Sequence, residues 1–428
     1  MFFQKPLIRQ SSILIMTIAE KILSKKTGIK QKAGDLIITD VDGAMASDTT
    51  GPYAIKAFEE MGGGKIWNPE KFALIIDHAA PAPNERIANL HSMMREFASA
   101  QGFRLFDIGV GICHQVMMEE RYVKPGYVFM GADSHTPTYG ALGALACGIG
   151  STDLAAVMKT GKIWLKVPDT MRIICHGKLQ EGVTAKDLIL FLVGKVTISG
   201  ATYQSVEFEG EAFEDMTLAS RMSVANMIAE MGGKTGFVHP KGLKLDYDFE
   251  AITPDKNANY IKTFEFDVTG LQPQLSVPES PDNVENMGDH AGKKIDYAFI
   301  GTCGNGRLED LQAAANILQG KRIASGVRFM IAPASRSVLL DAITDGTMEK
   351  LVSAGATILN PGCGPCVGTH QGVPGNNEVV ISAANRNFRG RMGNPNSNIY
   401  LAAPTTVAAS ALEGKITNPK AYIRNAQT

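Results

Sequence analysis

The sequence predicts an α/β protein of helices layered on largely parallel strands. Short apolar runs alternate with amphipathic segments along almost the whole chain. Reactive polar residues recur just after the runs that read as strands. The chain has 428 residues, 44% of them hydrophobic, enough for two or three separate cores.

The elements follow in order. From Met16 onward the chain reads as a first helix with Thr17 as N-cap. Residues 1–15 carry Lys5 and Arg9, but the apolar run at 13–16 is too short for a signal segment. They are expected to form a disordered tail or to reflect a misplaced start. Strands are predicted at 72–76, 127–130, 171–175, 295–300, 357–359, 379–382 and 399–402. Helices are predicted at 185–193 (capped by Thr184), 218–231, 308–318 and 407–412. The stretch 272–294 is rich in Pro, Asn, Asp and Ser and reads as a linker. A weaker break falls near 166–169. Three α/β domains are expected, at 16–168, 169–287 and 288–428.

Lys+Arg is 42 and Asp+Glu is 43, a net charge of −1 that offers no footprint for nucleic acid or an anionic membrane. No apolar run approaches the ~20 residues of a membrane helix. Six cysteines in so long a chain fit free or metal-bound thiols better than a disulfide scaffold. A cytoplasmic enzyme or binding protein is expected.

Five strand ends carry chemistry. Asp77 and His78 follow the first predicted strand, and Asp133, Ser134 and His135 the second. Cys303 follows 295–300, Cys363 and Cys366 follow 357–359, and Asn385 and Arg386 follow 379–382. Ligands of open α/β sheets bind beyond the carboxyl ends of strands, so one shared cleft is expected.

Cys363 and Cys366 form a CxxC in a Gly/Pro-rich turn, and Gly301–Gly306 supplies Cys303 as a third thiol. Three thiols suit a soft metal or an iron–sulfur cluster. Spacing alone leaves several readings open: zinc held by Cys303, Cys363, Cys366 and His370, an iron–sulfur cluster, a redox pair, or inert thiols. Cys113, Cys147 and Cys175 read as small packed apolar residues.

A set of motifs narrows the choice. They are DHAAP at 77–81, GICHQV at 111–116, GADSHTPTYGALG at 131–143, ASRMSVANMIAEMGG at 219–233, GTCGNGRLED at 301–310, NPGCGPCVG at 360–368 and NRNFRGRMGNP at 385–395. Together, in this order, they resemble the motifs of the aconitase superfamily. The pattern is similar to the large subunits of its 3-isopropylmalate dehydratase and homoaconitase branch, which includes 2,3-dimethylmalate dehydratase. The resemblance implies aconitase-like three-layer α/β/α domains around a central cluster cleft, with the swivelling domain absent and carried by a separate small subunit.

It also implies roles. Cys303, Cys363 and Cys366 would hold a [4Fe-4S] cluster with one open iron. Asp77 and His78 resemble the family's acid pair. His114, together with Glu230, resembles the group that handles the hydroxyl proton. Asp133 and His135 resemble a second Asp–His element near the open iron. Arg386, Arg391 and Ser134 would bind substrate, and Asn226 and Asn385 would hydrogen-bond the cluster or its ligands. The base that removes the carbon-bound proton would come from the small subunit. The remaining histidines, His91, His176, His239 and His290, are expected to be structural or exposed. The implied function is a hydro-lyase of a small hydroxy-acid, most simply 3-isopropylmalate. Homoaconitate, citramalate-like acids and 2,3-dimethylmalate are alternatives, as is a zinc-stabilised or RNA-binding module. Two departures bear on substrate choice: Gly304 stands where the family usually has Thr, and the loop 46–52 carries Ala-Ser before Asp48.

Colour and metal content separate iron from zinc. Anaerobically purified protein is expected to be brown and to contain iron; a zinc-free protein that stays colourless and takes up no iron on anaerobic reconstitution with Fe2+ and sulfide would sink the cluster reading.

Overall fold

A computed structural model describes residues 15–423. The expectation of a disordered tail at 1–15 therefore falls outside the described residues except for Ile15, which is exposed. The first helix is Ile18–Thr27, closed by a capping box between Thr17 and Glu20.

The strands fall into successive groups. β1 (Leu36–Asp40) and β7 (Lys162–Lys166) pair as an antiparallel ribbon. β2 (Gly43–Ser47), β3 (Phe72–Ile75), β4 (Arg104–Phe106), β5 (Val128–Gly131) and β6 (Leu145–Gly148) form a parallel sheet in the order β4-β3-β2-β5-β6. β8 (Thr170–His176), β9 (Ser205–Glu209), β10 (Thr235–Val238) and β11 (Lys262–Asp267) form a second parallel sheet. The third sheet comprises β12 (Gln274–Ser276), β13 (Val284–Asn286), β14 (Tyr297–Gly301), β15 (Arg328–Ala332), β16 (Thr357–Ile358), β17 (Val379–Ser382) and β18 (Asn398–Leu401). Its order is β13-β12-β18-β17-β14-β15-β16, parallel from β18 to β16. The central strands of the first and third sheets, β2, β3, β5, β14 and β17, are buried nearly end to end, as expected for parallel strands covered by helices on both faces.

Order reversals decide where the site lies. In the first sheet the chain runs outward from β2 through β3 to β4, then returns beside β2 as β5. In the third it runs from β14 through β15 to β16, then returns beside β14 as β17. The crevices beyond β2/β5 and β14/β17 are topological switch points, where α/β sheets bind ligands. The first, second and third sheets with their connecting segments make three units, and hydrogen bonds dock the first to the third: Ile112 N to Ala334 O, Arg336 N to Val110 O and Cys363 N to Asp77 O, each at 2.8 Å.

Two expectations about local structure change. The stretch 272–294 is not structureless: β12 and β13 edge the third sheet, and β12 pairs with β18. Its polar sequence conceals this because each strand is only three residues long and is held partly from afar, as where the Asp187 carboxylate accepts the Gln274 amide at 2.9 Å. The helix expected at 218–231 runs only over Leu218–Asn226 and gives way to a tighter turn at Ala229–Met231. Asn226 and Glu230 stand on either side of that break, and both are buried. No helix among the described residues is long and apolar enough to cross a membrane.

One buried carboxyl away from the cleft yields a pH prediction. Glu207 on β9 accepts from the Ile18 amide at 2.7 Å and from the Tyr260 hydroxyl at 2.9 Å. Burial nevertheless pushes it up from 4.5 to about 7. Between these values the folded chain holds a proton that the unfolded chain has lost, so stability falls as pH rises through that window. The contribution is up to about 3 kcal/mol. Denaturant melts should show a shallower decline for Glu207→Gln and a variant more stable than the parent near about pH 8. An unchanged slope would show that Glu207 does not govern it.

Candidate active site

Asp77, just past β3, uses all its polar groups. Its carboxylate accepts from His78 Nδ1 at 2.8 Å and from the Cys113 amide at 2.7 Å. Its carbonyl accepts the Cys363 amide at 2.8 Å, and its own amide donates to Asp48 at 3.0 Å. Gly362 makes the inter-unit bond possible. It sits at φ +151°, and a Cβ there would lie 2.7 Å from the Asp77 carbonyl oxygen.

The chain of contacts continues into the cleft. His78 Nε2 lies 3.3 Å from Asp133, which also bonds His114 Nε2 at 2.9 Å and the His135 amide at 2.8 Å. Burial opposes charge on His78, but Asp77 and Asp133 raise its imidazole well above the usual range. Burial also opposes charge on Asp133, yet His114, His135 and His78 hold it well below the usual carboxylate range. A second chain runs from His135 Nε2 to Glu230 at 3.1 Å and from Arg386 Nε to the same oxygen at 2.7 Å. Despite burial, His135 and Arg386 bring Glu230 down to about 2.

The pairing differs from the sequence expectation. His114 bonds Asp133 rather than Glu230, and His135 bonds Glu230 as well as Asp133. Sequence order could not show this, because Glu230 arrives from the second unit. His370 is not turned toward the thiols: its Nε2 lies 2.9 Å from the Ala80 carbonyl. The four-donor zinc set therefore loses its histidine.

The three expected thiols share this cleft. Cys303, Cys363 and Cys366 border a cleft of 780 Å³ with His78, His114, Asp133, Ser134, His135, Asn385, Arg386 and Arg391. All three cysteines are buried and free. A hydrogen bond from Cys363, together with the nearby Arg391, holds the Cys366 thiol well below its usual range. Burial pushes Cys303 up to about 11, although Asn226 and Asn385 pull the other way. Asn385 Nδ2 donates to Cys303 Sγ at 3.2 Å, and Asn226 Nδ2 to Thr138 at 2.9 Å. Gly304 leaves room for this contact, since a Cβ there would lie 2.1 Å from Asn385 Oδ1. Ser134 is exposed at the cleft's edge.

The residues fit a bulky polar occupant. His114 Nδ1, Asn226 Oδ1, Glu230 Oε2, Asn385 Oδ1 and Arg391 Nε are buried without hydrogen-bond partners. Such atoms are rare in folded interiors. The thiols are also spread too widely for one ion. Zn–S bonds of about 2.3 Å would hold tetrahedral sulfurs about 3.8 Å apart. Among the described residues, the donor sets converging within 4.8 Å do not include this trio.

Sequence reading missed three supporting side chains. Asp48, just past β2, accepts the amides of Asp77, His78 and Ala79 at 3.0, 2.7 and 2.8 Å, with His91 Nε2 at 3.3 Å. Lys186 is buried and donates to the carbonyls of Ala383 and Ala384 at 3.3 and 2.8 Å, just before Asn385. Arg307 donates to the carbonyls of Cys303 and Gly304 at 2.6 and 2.9 Å. Asp48 was detectable in principle as another strand-end acid. Its strand, Gly-Ala-Met-Ala-Ser, lacks the β-branched residues that announce one. The other histidines are as expected: His91 is buried on Asp48, and His176 is exposed.

Soft donors and carboxylate-oriented imidazoles meeting between two switch points define an α/β enzyme of the acid–base, metal-assisted kind. The chain belongs to the aconitase family (aconitate hydratase), whose model matches residues 20–247 and 284–414. It is 46% identical over 415 residues to a protein of Methanopyrus kandleri named 3-isopropylmalate dehydratase large subunit 1, covering 95% of this chain and 99% of that one. It is 48% identical over 392 residues to a Methanosarcina mazei protein named probable methanogen homoaconitase large subunit, covering 90% and 100%. The homoaconitase large subunit of Thermus thermophilus is 45% identical over 407 residues, covering 94% and 97%.

Asp48 gives this site its stability test. Asp48→Asn would place an amide N–H against backbone donors and should cost about 2–4 kcal/mol of unfolding free energy. A change within about 0.5 kcal/mol would show that the amide cradle is dispensable.

Proposed function

We propose that this chain is the cluster-binding large subunit of a cytoplasmic hydro-lyase that dehydrates and rehydrates a small 2-hydroxy di- or tricarboxylic acid. The substrate we favour is 3-isopropylmalate, in leucine biosynthesis. The observation that carries this reading is the meeting of Cys303, Cys363 and Cys366 with two carboxylate–histidine chains across one cleft. Family membership supports the iron–sulfur chemistry, and the names of the relatives support the subunit and substrate.

The three thiols would hold a [4Fe-4S] cluster, which when bound supplies a Lewis acid for the substrate's hydroxyl and carboxylate. The chain's own side chains do the rest. His78, kept protonated by Asp77 and Asp133, is placed to give a proton to the departing hydroxyl, which leaves carbon poorly as hydroxide. His114 and His135 flank it, each oriented by a carboxylate. Arg386 and Arg391 present guanidinium groups that can grip carboxylates bidentately, and Ser134 stands at the entrance. Asn226 and Asn385 steady Cys303. The base that takes the carbon-bound proton comes from a small partner subunit, so the isolated chain is inactive.

The test is to purify the chain anaerobically with its small subunit and assay 3-isopropylmalate, homoaconitate, citramalate and 2,3-dimethylmalate by enoate absorbance. Turnover of 3-isopropylmalate above the others is expected. Preference for another acid would reassign the substrate, and no turnover with an intact cluster would defeat the hydro-lyase claim in favour of a binding module. Cys366→Ser should lose both iron and activity; full iron retention would remove Cys366 from the ligand set.

A further inference from the structure

Cys303 has neighbours on two sides. Toward Cys363 and Cys366 it belongs to the wide thiol trio. On the other side stand His114 and His135, and one donor atom from each of these three residues lies within 4.8 Å of the other two. All three side chains are buried: His114 is 1% exposed, His135 6% and Cys303 4%.

Both imidazoles are held by a carboxylate at Nε2, and His135 Nδ1 also faces Asp133 at 3.7 Å. His114 Nε2 is held by Asp133 at 2.9 Å, and His135 Nε2 by Glu230 at 3.1 Å. A carboxylate on one ring nitrogen fixes the tautomer and makes the other nitrogen a better donor to a metal. That other nitrogen of His114, Nδ1, is buried with no hydrogen-bond partner. An unmet polar atom of this kind works against folding, and a bound cation would relieve it. The set formed by Asp48, Asp77 and His78 also converges within 4.8 Å. There, however, both carboxylates already accept backbone amides, so that set is internally satisfied.

We propose that in the cluster-free chain Cys303, His114 and His135 form a mononuclear site for a divalent ion of borderline softness such as Zn2+. Two imidazoles and a thiolate suit that ion, and a fourth position stays open to the cleft. As the metal–sulfur bond forms, the Cys303 thiol releases its proton to solvent, and no electron moves. The site needs only Cys303 of the three thiols. It competes with the proposed cluster because both use the same sulfur. Zinc held there would bar cluster assembly, so the site would act as a metal-exchange point on the unloaded chain.

The test uses the full chain, freed of iron by anaerobic chelation and titrated with Co2+ as a spectroscopic stand-in for zinc. One Co2+ per chain is expected, with a near-ultraviolet thiolate-to-cobalt band that Zn2+ abolishes by competition. Cys303→Ser should lose the band, while the double variant Cys363→Ser/Cys366→Ser keeps it. His114→Ala and His135→Ala should each weaken Co2+ binding at least about tenfold. Circular dichroism identifies any variant that fails to fold, and the double variant then serves as the deciding measurement. A band that vanishes in the folded double variant would place the ion on the CxxC pair, and one that survives in Cys303→Ser would place it on another thiol, such as Cys113 beside His114 and Asp133; either result would overturn the proposal. So would a parent chain with no band. None of these readouts requires the cluster or turnover, so this site and the proposed function can fail independently.

Discussion

Asp77 is the residue on which the rest of the site depends. Four hydrogen bonds leave it in four directions: to Asp48, His78, Cys113 and Cys363. The bond to Cys363 is the least replaceable, because it ties a thiol loop of the third unit to a strand end of the first. It involves only backbone atoms, so side-chain motion cannot slacken it. Its cost is paid in sequence freedom, since the approach admits no Cβ at residue 362. Asp48 then fixes the three amides that set the direction of the Asp77–His78 turn. The acid–base pair is thus held by backbone on both sides.

The fold supplies the meeting place by symmetry of construction rather than of sequence. The first and third sheets each reverse their winding once, and each reversal opens a crevice at strand ends. One crevice contributes carboxylates and imidazoles, and the other contributes thiols and guanidinium groups. The second unit adds the carboxylate of Glu230, which joins the site through His135 and Arg386. Glu230 faces both His135 and Arg386, so its charge is matched from either side. A buried carboxylate without such partners would protonate or swing out.

Strand ends were legible because burial on both faces makes parallel strands read as continuous apolar runs. Val379–Ser382 and the helix Leu308–Leu318 have the predicted bounds. β2 escaped notice because its small residues pack under neighbours instead of displaying branched side chains, and Asp48 was lost with it. β12 and β13 escaped because each is only three residues long in a polar stretch, and β12 reaches the rest of the sheet only through distant β18. The membership of the cleft could be read from motifs, but its wiring could not. Which histidine meets which carboxylate depends on the docking of three units, and a spacing rule carries no information about that. His370 illustrates the limit: adjacency to the CxxC suggested a ligand, whereas a carbonyl from the first unit takes its ring nitrogen.

The same wiring explains why so many polar atoms in the cleft can stay unmatched. His114 Nδ1, Glu230 Oε2 and the oxygens of Asn226 and Asn385 are all buried and unpaired. Each such atom works against folding by about 1–3 kcal/mol, within a total stability of only about 5–15 kcal/mol. A site with this deficit persists only where its surroundings over-determine it. Here they do: Asp48, Lys186 and Arg307 bind backbone groups rather than cleft atoms, and they clamp the three loops from behind. The clamps satisfy the backbone and leave the inward-facing atoms unpaired. Those atoms are then free to bind whatever occupies the cleft, without first breaking contacts that hold the loops in place.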